Sequence, residues 1–208
     1  MLLFNISFII PCCLLLVAFL YGISSRKLRD NQQTRRYHLY LGFFLSTELV
    51  RLTASYILNI KLADYLYLFY VAGEFLLLLY FFHKVLKLSK VWKTAIALIA
   101  SCFFIETVIM LLAFGDPNIG FSKSISHVII VITVAFTLVK NLKELEEKNP
   151  FLPLYTALFF YYAASIFLFP IMHQLTKSTI HVWSIHNLMS CILYVSSIYT
   201  FYQLRKLY

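Results

Sequence analysis

The stretch YLYLFYVAGEFLLLLYFF, from Tyr65 to Phe82, decides the fold: its 18 residues carry a single charge, Glu74, near their centre. A helix needs about 20 mainly apolar residues to cross the roughly 30 Å hydrocarbon core of a bilayer. Extended to 65–85, this run meets that length, and its solid apolar character differs from the alternation of a β-barrel strand. Six more runs of the same kind flank it. The seven predicted spans are about 2–23, 37–58, 65–85, 91–114, 125–142, 151–172 and 182–204. The connections between them are short and hold the turn formers, most clearly Gly115-Asp116-Pro117-Asn118 and Asn149-Pro150. The expected fold is all-α: a polytopic membrane protein, one seven-transmembrane-helix bundle over 1–208 with no soluble domain.

Composition agrees. Of 208 residues, 61% are hydrophobic and 13% charged, with mean hydropathy +0.80. Soluble domains run near 45–50% apolar and about 25% charged, so a water-soluble enzyme is excluded, and the wealth of aromatic residues excludes disorder. All four cysteines fall within spans without a Cys-x-x-Cys spacing, which suits packing better than disulfides or zinc.

The formal charge of +9 is a matter of sidedness. Lys and Arg near span ends collect on the cytoplasmic side. Fourteen bases follow the odd-numbered spans: Arg26, Lys27, Arg29, Arg35 and Arg36, then Lys84, Lys87, Lys90 and Lys93, then Lys140, Lys143 and Lys148, and finally Arg205 and Lys206. The opposite loops hold Lys61, Lys123 and Lys177, and Arg51 lies inside the second span. This alternation predicts an N-terminus outside and a C-terminus in the cytoplasm. The basic residues then face anionic lipid headgroups, and nucleic acid is not an expected partner. The first span has no basic residues before it and reads as a retained anchor rather than a cleaved signal. The fifth span is expected to run on into the cytoplasm over 140–148, with a Glu144–Lys148 pair.

Ionisable groups inside a bilayer are costly and mark polar interiors or pathways. Three of the nine acidic residues are in spans: Glu48, Glu74 and Glu106. Arg51 and Ser55 continue the helical face of Glu48, while Tyr67, Tyr70 and Glu74 share a face of the third span. The last span offers His186, Asn187, Ser190, Tyr194 and Ser197. Given the topology, Glu48 and Glu74 lie near mid-membrane, and Arg51, Glu106, His127 and His186 lie in the outer half. Glu48, Arg51, Glu74, Glu106, His127, His186 and Asn187 therefore form the candidate polar core of a ligand-binding site. Arg51 would anchor an anion, and the carboxylates would hold amine or hydroxyl groups. No His-x-x-x-His or Glu-x-x-His pair sets two ligands on one helical face, so no metal or other cofactor is expected.

Other seven-span signatures are missing. The last span has no lysine for a retinal Schiff base before its cytoplasmic end. The third span ends Tyr80-Phe81-Phe82-His83-Lys84, without the Asp-Arg-Tyr of G-protein-coupled receptors. The paired histidines of intramembrane zinc hydrolases are absent, and Glu48-Leu-Val-Arg51 matches only a fragment of the double-Glu motif of CAAX-type proteases. Three stretches are more informative: LYLFYVAGEFLLLLYFFHKVLK with Glu74, LYTALFFYYAASIFLF, and VWSIHNLMSCILYVSSIYTFY with His186-Asn187. On these the chain, from the second span onward, is similar to an uncharacterised family of small seven-transmembrane-helix proteins of Bacteroidota-type bacteria. The resemblance implies a cell inner membrane location and carries no activity.

Three functions stay open on these residues. The first is a receptor-like or sensory protein that binds a small polar ligand in an outer-half pocket and acts through a cytoplasmic or membrane protein partner. The second is a membrane-embedded enzyme acting on a lipid by Glu/His chemistry, although no catalytic residue is assignable. The third is a structural or assembly subunit in which the charges only set helix register.

Overall fold

The computed structural model describes residues 2–54, 63–87, 89–143, 149–174 and 180–207. Among them the chain is all helical, with eight α-helices and a 3-10 turn at Pro117–Ile119. The helices are α1 (Leu2–Ser24), α2 (Arg26–Asp30), α3 (Gln32–Leu52), α4 (Ala63–Val85), α5 (Lys90–Phe114), α6 (Ser122–Lys143), α7 (Leu152–Gln174) and α8 (Ile180–Leu207). Among the described residues four stretches are long and apolar enough to cross a membrane: Tyr65–Val85, Lys90–Phe114, Ser122–Lys143 and Leu152–Phe169; Ile9–Ser24 is a shorter apolar one. These fit a membrane protein.

Boundaries differ from the sequence reading in places with clear causes. The helix that carries the second predicted span begins at Gln32, ahead of 37, because the Asn31 side chain accepts from the backbone N–H groups of Gln33 and Thr34 and caps it. Arg35 and Arg36 thereby become helical. Lys123, expected in a loop, is the second residue of α6 and is buried. Between α5 and α6, Gly115 takes the left-handed conformation, φ 70°, that ends a helix, and the Asp116 side chain accepts from the Asn118 N–H. Ser55 and the Glu144–Lys148 pair lie outside the described residues.

Packing follows a closed order: α1 against α3, α3 against α4, α4 against α6, α6 against α7, α7 against α8, and α8 back against α1. Helix α5 lies outside this ring on α4 and exposes Leu98, Ile105, Ile109 and Leu112. Water would not tolerate such a face; hydrocarbon does.

Long-range contacts fix which helix ends meet. Arg36 at the start of α3 donates to the Tyr80 carbonyl near the end of α4, at 3.3 Å. Lys140 at the end of α6 donates to the Val85 carbonyl, at 3.2 Å. Gln33 donates to the Tyr155 hydroxyl at 2.5 Å, and the His38 ring stacks on Phe201 at 4.9 Å. The ends of α1, α4, α6 and α8 and the starts of α3 and α7 thus share one end of the bundle, where most of the basic residues gather. Its interior is a block of rings, including Tyr37, Phe81, Phe82, Tyr155 and Phe201. The opposite end, built by the starts of α4, α6 and α8 and the end of α7, holds the polar groups.

Candidate ligand-binding site

Glu74 is the central residue of α4 and only 1% exposed. Its neighbour Gly73 packs against α3, where a Cβ would stand 2.5 Å from the tip of the Phe43 ring. Glu74 Oε1 accepts from the Tyr162 hydroxyl of α7 at 2.7 Å. With its proton committed, Tyr162 must accept from its other neighbour, the Tyr40 hydroxyl of α3 at 2.9 Å. One chain of hydrogen bonds therefore joins α3, α7 and α4 at mid-bundle. Nearer the basic end, Ser197 of α8 donates to the Leu193 carbonyl at 2.8 Å, so the Tyr37 hydroxyl donates to Ser197, at 2.7 Å.

The other carboxylate oxygen, Oε2, faces His127 Nε2 of α6 at 3.6 Å, an ion-pair distance longer than a hydrogen bond. The His127 ring packs edge-on against Tyr162 and Phe169, with centroids 4.9 and 5.3 Å away. One turn earlier on the same face of α6, Lys123 turns inward. Its ammonium lies over Phe169 at 3.4 Å from the ring centre, with Tyr70 at 4.8 Å and Tyr67 at 5.4 Å. His186 of α8 packs against Phe169 from another side, at 5.5 Å, and against Tyr161 at 5.4 Å. Phe169 is thus the common neighbour of a lysine and two histidines from two helices.

Several of these groups lack partners among the described residues. Glu74 Oε2, both ring nitrogens of His127 and His186 Nδ1 are buried without a hydrogen bond. A buried polar atom left unsatisfied costs about 1–3 kcal/mol, and native interiors rarely tolerate several together.

No protein-family model matches the chain, and no curated protein or solved structure is found to be similar to it. Its function has to be argued from the site.

Of the seven candidate residues, the structure brings together Glu74, His127 and His186. Asn187 sits beside His186 on α8, half-buried. Glu48 and Arg51 instead satisfy one another: Arg51 donates twice to Glu48 Oε2, at 3.0 and 2.7 Å, on a part of α3 that is about one-third exposed. Glu106 accepts from the Phe121 N–H at 2.7 Å and ties the turn before α6 to α5. Among the described residues no group of three or more His, Cys, Asp or Glu side chains could hold a metal ion.

Sequence reading did not single out Lys123, Tyr162, Tyr40 or Phe169. Lys123 had a usable signal, since its spacing of four from His127 puts both on one helical face. Tyr162 and Phe169 lie in an aromatic-rich apolar run, and nothing local marks them.

Proposed function

We propose that this chain is a receptor-like integral protein of the bacterial inner membrane, with seven spans, its N-terminus outside and its C-terminus in the cytoplasm. It takes a small polar ligand among α4, α6, α7 and α8, near the outer face, and acts through a protein partner. The alternation of basic residues supports the topology, and the presence of Lys123 at the sparsely basic end supports an outer site. One observation supports the ligand: among the described residues Glu74 Oε2, the His127 nitrogens and His186 Nδ1 are buried and make no hydrogen bond, Glu74 Oε2 and His127 Nε2 only facing each other at 3.6 Å. A cluster that only held helices in register would pair its own atoms, as Glu74 Oε1 does with Tyr162 and Tyr162 with Tyr40.

The 3.6 Å approach of His127 to Glu74 favours a second reading, a lipid-acting enzyme in which this pair handles a proton. The two are separable by experiment. The intact protein is purified in lipid nanodiscs and extracted with denaturant, and small molecules are identified by mass spectrometry. A polar compound near one per chain, lost in a Glu74→Gln/His127→Leu double variant that still folds, is the expected result. Recovery of a cleaved lipid instead supports the enzyme. No retained compound, together with unaltered thermal stability across a panel of small polar solutes, would overturn the ligand reading.

A further inference from the structure

The site's unequal stock of donors and acceptors says what kind of ligand it takes. Lys123 is 8% exposed, and no carboxylate among the described residues lies within ion-pair distance of its ammonium. It makes no hydrogen bond there either; its neighbours are the faces of Phe169, Tyr70 and Tyr67. Ring faces attract a cation, but they offer no acceptor for the three N–H groups of an ammonium. Glu74, the nearby carboxylate, is already engaged by Tyr162 on one oxygen and faced by His127 on the other.

The two histidines add to the imbalance. Each neutral imidazole supplies one N–H donor, and both rings meet the same Phe169 that carries Lys123. Among the described residues, three nitrogen-bearing side chains thus surround one aromatic ring, opposed by a single oxygen of Glu74 without a hydrogen bond. A cationic guest would meet Lys123 unshielded. A guest with both charges would have to compete with His127 for Glu74. Negative charge rich in acceptors, attached to something flat and apolar that the surrounding rings of Phe169, Tyr70 and Tyr161 can pack against, meets every requirement at once.

We infer that the ligand is a small organic monoanion: a carboxylate seated among Lys123, His127 and His186, on a compact aromatic or apolar body held by the neighbouring rings. This rests on the ligand-binding reading above and narrows it. Arg51, the more conspicuous cation in the sequence, is not the anchor, because Glu48 already holds it.

Three probes share one ring and differ in charge: benzoate, benzamide and benzylammonium. Each is titrated against the full-length protein in phosphatidylcholine nanodiscs, with thermal unfolding and calorimetry as readouts. Benzoate is expected to bind and raise the unfolding temperature, with the other two weaker by at least about tenfold, as loss of a charge-assisted contact implies. Lys123→Gln should abolish that preference, Lys123→Arg should keep it, and Arg51→Ala should leave it unchanged. Because Lys123→Arg retains the charge, it separates loss of the anchor from loss of the fold. Preferential binding of benzamide or benzylammonium overturns the anion while leaving a polar-ligand site in place. Benzoate binding that survives Lys123→Gln also overturns it, as does failure of all three probes to bind. A chain that in addition retains no small molecule on purification loses both readings.

Discussion

The hydroxyl of Tyr162 stands between Tyr40 and Glu74, 2.9 Å from one and 2.7 Å from the other, and bonds α7 to both α3 and α4 through one atom. Removing it strands two buried groups at once. Tyr162→Phe should therefore cost about 1–3 kcal/mol for each orphaned partner. Tyr40→Phe deletes only the outer link, leaves the bond to Glu74 intact and should cost about 1 kcal/mol. Thermal unfolding of the two variants in nanodiscs tests the order; equal losses would mean that the chain of hydroxyls does not run in the direction deduced.

Glu74 should discriminate between isosteric and apolar replacement. Glu74→Gln keeps an oxygen for Tyr162 and should fold with a small loss. Glu74→Leu leaves Tyr162 and His127 facing hydrocarbon, and breaking such a buried pair costs about 3–5 kcal/mol. Denaturant unfolding in mixed micelles reads the difference. A fully stable Leu variant would show that the carboxylate contributes nothing to the fold.

At the basic end, Gly22 of α1 lies directly against the His38 ring of α3, and a Cβ added there would overlap it. The ring cannot easily move aside: Nδ1 is hydrogen-bonded to the Thr34 carbonyl at 2.9 Å, and its face stacks on Phe201. Gly22→Ala, otherwise a favourable change in a helix, should here destabilise by about 1–3 kcal/mol through overpacking. Gly22→Ala combined with His38→Ala should recover part of the loss.

The Glu48–Arg51 pair predicts the opposite outcome. Both side chains are about one-third exposed and three residues apart on one helix. Such pairs contribute at most about 1 kcal/mol when screened. Arg51→Ala should thus shift the unfolding temperature little, and a loss comparable to that of Glu74→Leu would give Arg51 a role the geometry does not provide.

The proposed orientation has its own test. A fluorescent protein fused after Tyr208 should fluoresce, since that terminus is placed in the cytoplasm, whereas alkaline phosphatase fused there should be inactive. Replacing Arg26, Lys27 and Arg29 with Gln should weaken that orientation, because basic residues near span ends set it. An active phosphatase fusion on the unaltered chain would reverse the assignment of the site to the outer face.

Much of the helical pattern was legible beforehand because long apolar runs separated by Gly, Pro, Asn and Asp leave few alternatives. The start of α3 ahead of the predicted span has a local cause. A cluster of Arg and Gln residues looks like a loop beside an apolar span, yet these residues form helix readily once Asn31 caps it. Glu48 with Arg51 was visible as a pair because their interaction lies within one helix. Glu106 was visible as an intramembrane acid but not as the acceptor for Phe121, which depends on how the chain turns between α5 and α6.

The sequence by itself determined that this chain is built of long apolar helices with basic residues collected at alternate ends, and that Glu74, His127 and His186 had to be accommodated inside. Only the tertiary structure decided that the two histidines share one neighbour, Phe169, that Lys123 turns inward to join them, and that Tyr162 and Tyr40 complete the bond to Glu74. The reason is physical. In water, a helix advertises its buried face by being polar on the other. In α4 and α7 both faces are apolar, because lipid and protein interior are alike in that respect. Which tyrosine or phenylalanine points inward is then written in no periodicity, and follows only from how the helices pack.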